Sequence, residues 1–187
     1  MKVLHLLTAS VLMLSLAAGT AFAQSEKAKK QAEIRKVAQT SLERFYKAEP
    51  KLKGEVAKAP GYAVFTSYGF TFLLGGSGGK GLAHDAKTKK DTFMDMAQVS
   101  AGLQVGGGEF ETLIVFKTAK ALEEFVNKGW EFAGGGGAAA GAGGKTAGGA
   151  AGEQVIADGL YYTLTKNGLQ AGGAVAGTKY WKDKELN

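Results

Sequence analysis

The chain has 187 residues, with 23 Lys and Arg against 17 Asp and Glu, two His and no Cys, giving a formal net charge of +6. The absence of Cys excludes disulfides, thiolate metal sites and covalent cysteine catalysis. The two histidines, His5 and His84, are too few for a histidine metal centre.

The N-terminal residues read as an export signal. Lys2 gives a short positive start, and residues 3–18 are apolar apart from His5, Thr8, Ser10 and Ser15. Ala21-Phe22-Ala23 fits a small–x–small cleavage site, followed at once by polar Gln24-Ser25-Glu26. The apolar run falls short of the roughly 20 residues of a spanning helix, so cleavage after Ala23 is expected rather than retention as an anchor. The expected location is the bacterial envelope, periplasmic or secreted. Losing Lys2 leaves 22 basic and 17 acidic residues. Residues 24–58 hold ten basic and five acidic side chains, whereas residues 59–187 hold twelve of each. All the net charge of the processed chain therefore lies in its first stretch, as in a tail or helix that meets an anionic partner.

Residues 25–49 predict a helix, with Ser25 as N-cap and Pro50 as its end. Ile34, Val37, Ala38, Ser41, Leu42 and Phe45 fall on one face, and Lys29, Lys36, Glu43 and Lys47 on the other. Such a helix either packs on the rest of the fold or lies in a membrane interface, and docking and undocking would allow both. From Tyr62 to Leu74 alternation predicts a strand, broken by Gly75-Gly76-Ser77-Gly78-Gly79. A short return strand at 80–84 and a polar turn at 85–91 follow. Strands are expected at 93–105 and 110–116 around Gly106-Gly107-Gly108, with Leu113-Ile114-Val115-Phe116 central in the sheet. Thr118 then caps a helix with Ala121, Leu122, Phe125 and Val126 on one face, closed by Lys128-Gly129. Trp130-Glu131-Phe132 starts another strand, and 160–165 with 169–175 form a hairpin turning at Asn167-Gly168. Residues 134–152, with ten Gly and seven Ala, suit either a linker or glycine-rich strands under close packing, and the few charges favour strands.

The expected fold is α+β: an N-terminal amphipathic helix, one further helix, and a glycine-rich antiparallel sheet curled into a barrel or sandwich. It forms one domain over residues 24–187, with a basic helical region at 24–58 and a strand core at 59–187.

Catalytic motifs fail on inspection. Gly143-Gly144-Lys145-Thr146 resembles the end of a phosphate-binding loop, but Ala139 stands where its first glycine belongs. His84, beside Asp85 in the expected turn, lacks a nucleophile partner. Glu109 and Glu111 share a strand face, which a solvated strand edge explains. Tyr180-Trp181 between Lys179 and Lys182 suits a membrane interface or an ordinary sheet cap. No enzyme activity, cofactor, metal, nucleotide or nucleic acid is expected.

Read in order, several segments resemble the SYLF domain, a lipid-binding module, over residues 60–178. They are Pro60-Gly61-Tyr62-Ala63-Val64-Phe65, Gly69-Phe70, and Gly75 to Gly81. Gly102-Leu103-Gln104-Val105-Gly106-Gly107-Gly108-Glu109, the run Leu113 to Phe116, the helix through Phe125, and Gly168-Leu169-Gln170-Ala171-Gly172 complete the series. The chain departs from the family pattern at Thr92-Phe93-Met94-Asp95-Met96 and in its export signal. The resemblance implies a non-enzymatic binder of anionic phospholipid; eukaryotic members bind phosphoinositides, and some bind actin. It also implies membrane attachment through the helix ahead of the strand core. By position, the lipid-binding residues would be Lys27, Lys29, Lys30, Arg35, Lys36, Arg44 and Lys47, with Phe45 inserting. An envelope scaffold or protein-interaction module is the alternative.

N-terminal sequencing of protein from the envelope fraction is expected to read Gln24 or a residue close to it; a sequence starting at Met1 would refute the cleavage.

Overall fold

The computed structural model describes residues 2–70, 75–100, 110–132, 139–140, 147–148, 154–156, 158–165, 168–170 and 178–187. In chain order these form α1 (Lys2–Ala48), α2 (Lys51–Lys58), β1 (Gly61–Phe70), β2 (Gly75–Asp85), β3 (Asp91–Ser100), β4 (Phe110–Phe116) and α3 (Ala119–Lys128). Then come β5 (Trp130–Phe132), β6 (Ala139–Ala140), β7 (Ala147–Gly148), β8 (Gln154–Ile156), β9 (Gly159–Thr165), β10 (Gly168–Gln170) and β11 (Thr178–Lys182). The described strands make one sheet ordered β6-β5-β11-β3-β2-β1-β4-β9-β8-β7, with β10 also on β9. The fold is α+β with a curled antiparallel sheet, as the sequence pattern predicts.

The sheet is clothed on both faces. On one face Ala63, Phe65, Met94, Ile114, Phe116, Tyr161 and Tyr180 pack with Ala121, Leu122 and Phe125 of α3. On the other, Val64, Leu82, Phe93, Leu113, Val115 and Tyr162 pack with Ala38, Leu42 and Phe45 of α1 and Leu52 and Val56 of α2. The period-two alternation of each strand supplies both sets. β4 is buried nearly throughout, as expected of a central strand.

The curl is measurable. The hydroxyls of Tyr161 on β9 and Tyr180 on β11 lie 2.8 Å apart, although four strands separate β9 from β11 along the sheet. Burial pushes both phenols well above the ordinary tyrosine value or in that direction, so both stay neutral. Phe125 fills the trough, with ring centroids 5.6 Å from Tyr180, 5.2 Å from Phe116 and 5.0 Å from Trp130.

Three local readings are corrected. The glycine cluster at 75–79 does not break the sheet but lies within β2, an 11-residue strand. Its register places Gly81 opposite Phe65 and Gly79 opposite Ser67. A Cβ on Gly81 would strike the Val64 carbonyl oxygen and the Phe65 ring, and one on Gly79 would strike the Thr66 carbonyl oxygen. Only hydrogen fits on the inner side of so tight a bend. The N-terminal helix does not begin at Ser25, because α1 is continuous through it. After Pro50 the chain makes a further short helix, α2, anchored by Leu52 and Val56. The Thr118 cap is present, accepting from the Ala121 N–H at 3.1 Å, and Gly129 closes α3 at φ 71°. Gly106-Gly107-Gly108, Gly143 to Thr146, Asn167, and the rest of 101–105, 134–152 and 171–175 expected as strand lie outside the described residues, apart from the short β6 and β7.

Gly81→Ala is expected to cost at least about 1–3 kcal/mol by overpacking. Gly78→Ala, whose Cβ would meet nothing closer than 4.0 Å, should stay within about 0.5 kcal/mol of wild type. Urea unfolding of the two variants checks the contrast; equal losses would refute this account of the bend.

Candidate functional site

The site lies on the sheet face covered by α1. Two ion pairs fix that helix. Arg44 donates to Glu111 on β4 at 2.6 Å, and Arg35 donates to Asp91 at the start of β3 at 2.7 Å. Glu111 is buried, and its second carboxylate oxygen has no hydrogen-bond partner. It is therefore not the residue of a solvated edge: its strand lies between β1 and β9. Asp91 also meets His84 Nδ1 at 2.7 Å, and His84 stacks on Tyr62 with centroids 5.1 Å apart. The Arg35 guanidinium lies 4.9 Å from the Phe93 ring centroid, a cation–π contact. His84 thus belongs to the helix-docking cluster, at the end of β2 rather than in a free turn.

Toward the N-terminal side of the docked stretch, helix and sheet enclose a groove of about 650 Å³. Ile34, Val37 and Ala38 line it from α1, Val64, Thr66 and Gly78 to Gly81 from β1 and β2, and Trp181 from β11. Among the described residues the exposed large hydrophobics are Val37 and Trp181, each 38% exposed, and both line this groove. Lys80 crosses it, donating to Asp95 and to Asp183 at 2.7 Å each. The segment after β11 forms the remaining wall. Asp183 accepts from the Glu185 and Leu186 N–H groups, Gln31 of α1 donates to the Leu186 carbonyl, and the Asn187 side chain bonds both backbone groups of Phe93. Burial pushes the Asp183 carboxyl up, but Lys80 and the two backbone N–H groups outweigh it and hold the group below its ordinary value.

The residues expected to bind lipid fall into three sets. Phe45 is fully buried; as placed, it anchors α1 to the sheet and is not available for insertion. Arg35 and Arg44 are the docking pairs, while Lys27 bonds the Asn187 carbonyl at 2.8 Å and Lys29 pairs with Glu26 at 3.2 Å. Lys30, Lys36 and Lys47 are exposed on α1. The groove residues Lys80, Trp181 and Asp183 were not singled out as a set from sequence. Only the alternation of β11, which buries Tyr180 and exposes Trp181, carried a signal for them.

Residues 97–187 match a family model, Ysc84, described as Las17-binding protein actin regulator. The chain is also similar to "Beta cell expansion factor A" of Aeromonas veronii, 33% identical over 155 residues, which cover 82% of this chain and 57% of that relative. The chain thus spans a little over half the length of this curated relative.

A carboxyl held below its unfolded value, about 3.9, adds stability that is present above that pH and lost as pH falls through the folded value. Asp183→Asn should therefore lower stability by about 1–3 kcal/mol at pH 7, where a charged acceptor is lost. The gap to wild type should narrow below about pH 3.9. Urea unfolding at pH 7 and in acid checks this; a gap independent of pH would refute the role of the charge.

Proposed function

We propose, from the match of residues 97–187 to the Ysc84 (SYLF) family model, that the protein is an exported, non-enzymatic binder of anionic phospholipid surfaces in the bacterial envelope. The observation that carries the reading is the outward basic face of α1. Lys30, Lys36 and Lys47 project from a helix whose apolar face is already occupied by the sheet. Residues 24–58 carry an excess of five positive charges and the rest of the processed chain none, so attraction to an anionic surface must act through this region. Each lysine near such a surface contributes about 1 kcal/mol, less with salt. With Leu42 and Phe45 buried, the docked protein attaches by charge rather than by deep insertion. No helix among the described residues is long and apolar enough to cross a membrane.

A second reading has support of its own. The matched family is described by a protein partner, Las17, and by actin regulation, and a basic helix face also suits an acidic protein partner. Co-sedimentation with anionic and neutral vesicles separates the two. Wild type should bind anionic vesicles and lose binding as salt rises. Lys29→Glu, Lys36→Glu and Lys47→Glu together should weaken binding on the order of a hundredfold, from about 1 kcal/mol per lysine. The fold should be kept, because all three are exposed. Unchanged binding by the triple variant would overturn the electrostatic reading, and no vesicle binding by wild type would favour the protein partner.

A further inference from the structure

We propose that the groove between α1, β2 and the segment after β11 binds a small amphiphilic organic cation, an ammonium group carried on an apolar body. The volume, about 650 Å³, lies within the roughly 300–1,000 Å³ of sites for one small molecule. The walls present Val37 and Trp181, the exposed large hydrophobics among the described residues. An apolar body laid between them removes both from water.

The charge of the lining sets the sign of the ligand. Glu33, Asp95, Asp183 and Glu185 line the groove against Lys30 and Lys80, four carboxylates to two ammonium groups, a net charge of −2. The chain as a whole is +6, so the groove is a local reversal. Lys80 cannot cancel the excess, because it is shared between Asp95 and Asp183 at 2.7 Å each, one cation for two anions. Asp183 is held below its ordinary value and stays ionised at neutral pH. Glu33 and Glu185 are exposed and make no ion pair among the described residues.

Strand register supplies a second feature that favours a cation. Asp95 on β3 stands opposite Lys80 on β2 and opposite Trp181 on β11, so the three form one row across adjacent strands. Asp95 accepts from Lys80 through Oδ1, and Oδ2 makes no hydrogen bond among the described residues. An exposed indole thus neighbours a carboxylate with an oxygen to spare. An ammonium over an indole face is attracted by the ring quadrupole, and the carboxylate adds its charge. A carboxylate or phosphate head group is disfavoured by both. Lys30 is shared with the outward basic face of α1; in the groove it opposes the ligand, so neutralising it should strengthen binding.

The test titrates the protein as isolated with octyltrimethylammonium, octanoate and octanol, all below micelle formation and their solubility limits. The readouts are calorimetry and tryptophan emission, in which Trp130 is buried and Trp181 reports the groove. The ammonium should bind saturably, roughly tenfold or more tighter than octanoate or octanol, and change the emission. Trp181→Leu keeps an apolar contact but removes the ring, and should weaken the ammonium while sparing octanol. Glu33→Gln with Glu185→Gln, both at exposed positions, removes the negative excess. It should weaken the ammonium roughly tenfold with octanol unchanged, and it keeps the test valid if Trp181→Leu fails to fold. Lys30→Gln should strengthen the ammonium. Octanoate or octanol binding as tightly as the ammonium, an unchanged preference in the double variant, weaker ammonium binding by Lys30→Gln, or no saturable binding would each overturn the site.

Discussion

Everything in this molecule depends on how sharply the central strands bend. For Tyr161 and Tyr180 to share a hydrogen bond at 2.8 Å, β9 and β11 must meet across the trough although four strands lie between them in the sheet. A sheet of ordinary side chains cannot close so far, because its inner face crowds before its edges approach. Here the inner side of β2 reads Gly79, Gly81 and Ala83, opposite Ser67, Phe65 and Ala63. Backbone oxygens of β1 occupy the space where Cβ atoms would stand at Gly79 and Gly81, and the Phe65 ring covers Gly81 in place of the missing side chain. This is the device by which glycine kinks, shielded by a cross-strand aromatic, set sheet curvature. α3 packs into the trough so formed, with Phe125 among Phe65, Phe116, Trp130 and Tyr180.

The bend also decides what the outer face can hold. Convex strands splay their outward side chains, so one straight helix cannot cover the face. α1 makes close contact over Leu42 and Phe45, reinforced by Arg44 on Glu111, and then parts from the sheet beside Lys80 and Trp181. The Asp183 turn and the Asn187 side chain close the far wall of the groove by bonding α1 and β3 at once.

Much of this was legible in the sequence, because the signals were local. Alternation placed β1, the apolar run Leu113 to Phe116 placed β4, the Asn167-Gly168 turn signal placed β9, the Thr118 cap and Gly129 bounded α3, and the apolar stripe of residues 34–45 showed which side of α1 is wet. The glycine cluster misled because propensity treats glycine as a breaker, whereas position on a concave face makes it a requirement; strand pairing, a non-local property, overrode the local preference. Glu111 misled for a related reason. Its partner Arg44 is 67 residues away, so nothing near it in the chain announces a buried charge. Lys80 with Asp183, 103 residues apart, and Trp181 beside α1 are juxtapositions that only the closed sheet creates.

The position of α1 finally bears on the proposed attachment to a lipid surface. Undocking would expose Leu42 and Phe45, at roughly 1.5–3 kcal/mol each, which an apolar membrane interface could return in similar measure. The ion pairs are not returned in the same way. Arg44 could trade Glu111 for a lipid phosphate, but Glu111 would remain in a face lined by Leu113, Val115 and Tyr162, and stranding a carboxylate among apolar groups is costly. Undocking would also remove Ile34 and Val37, one wall of the groove. The helix therefore serves best where it lies: its buried face completes the groove, and its outward lysines stay free for a charged surface. On the proposed reading, attachment through the outward lysines leaves the groove intact, while insertion of the apolar face would dismantle it.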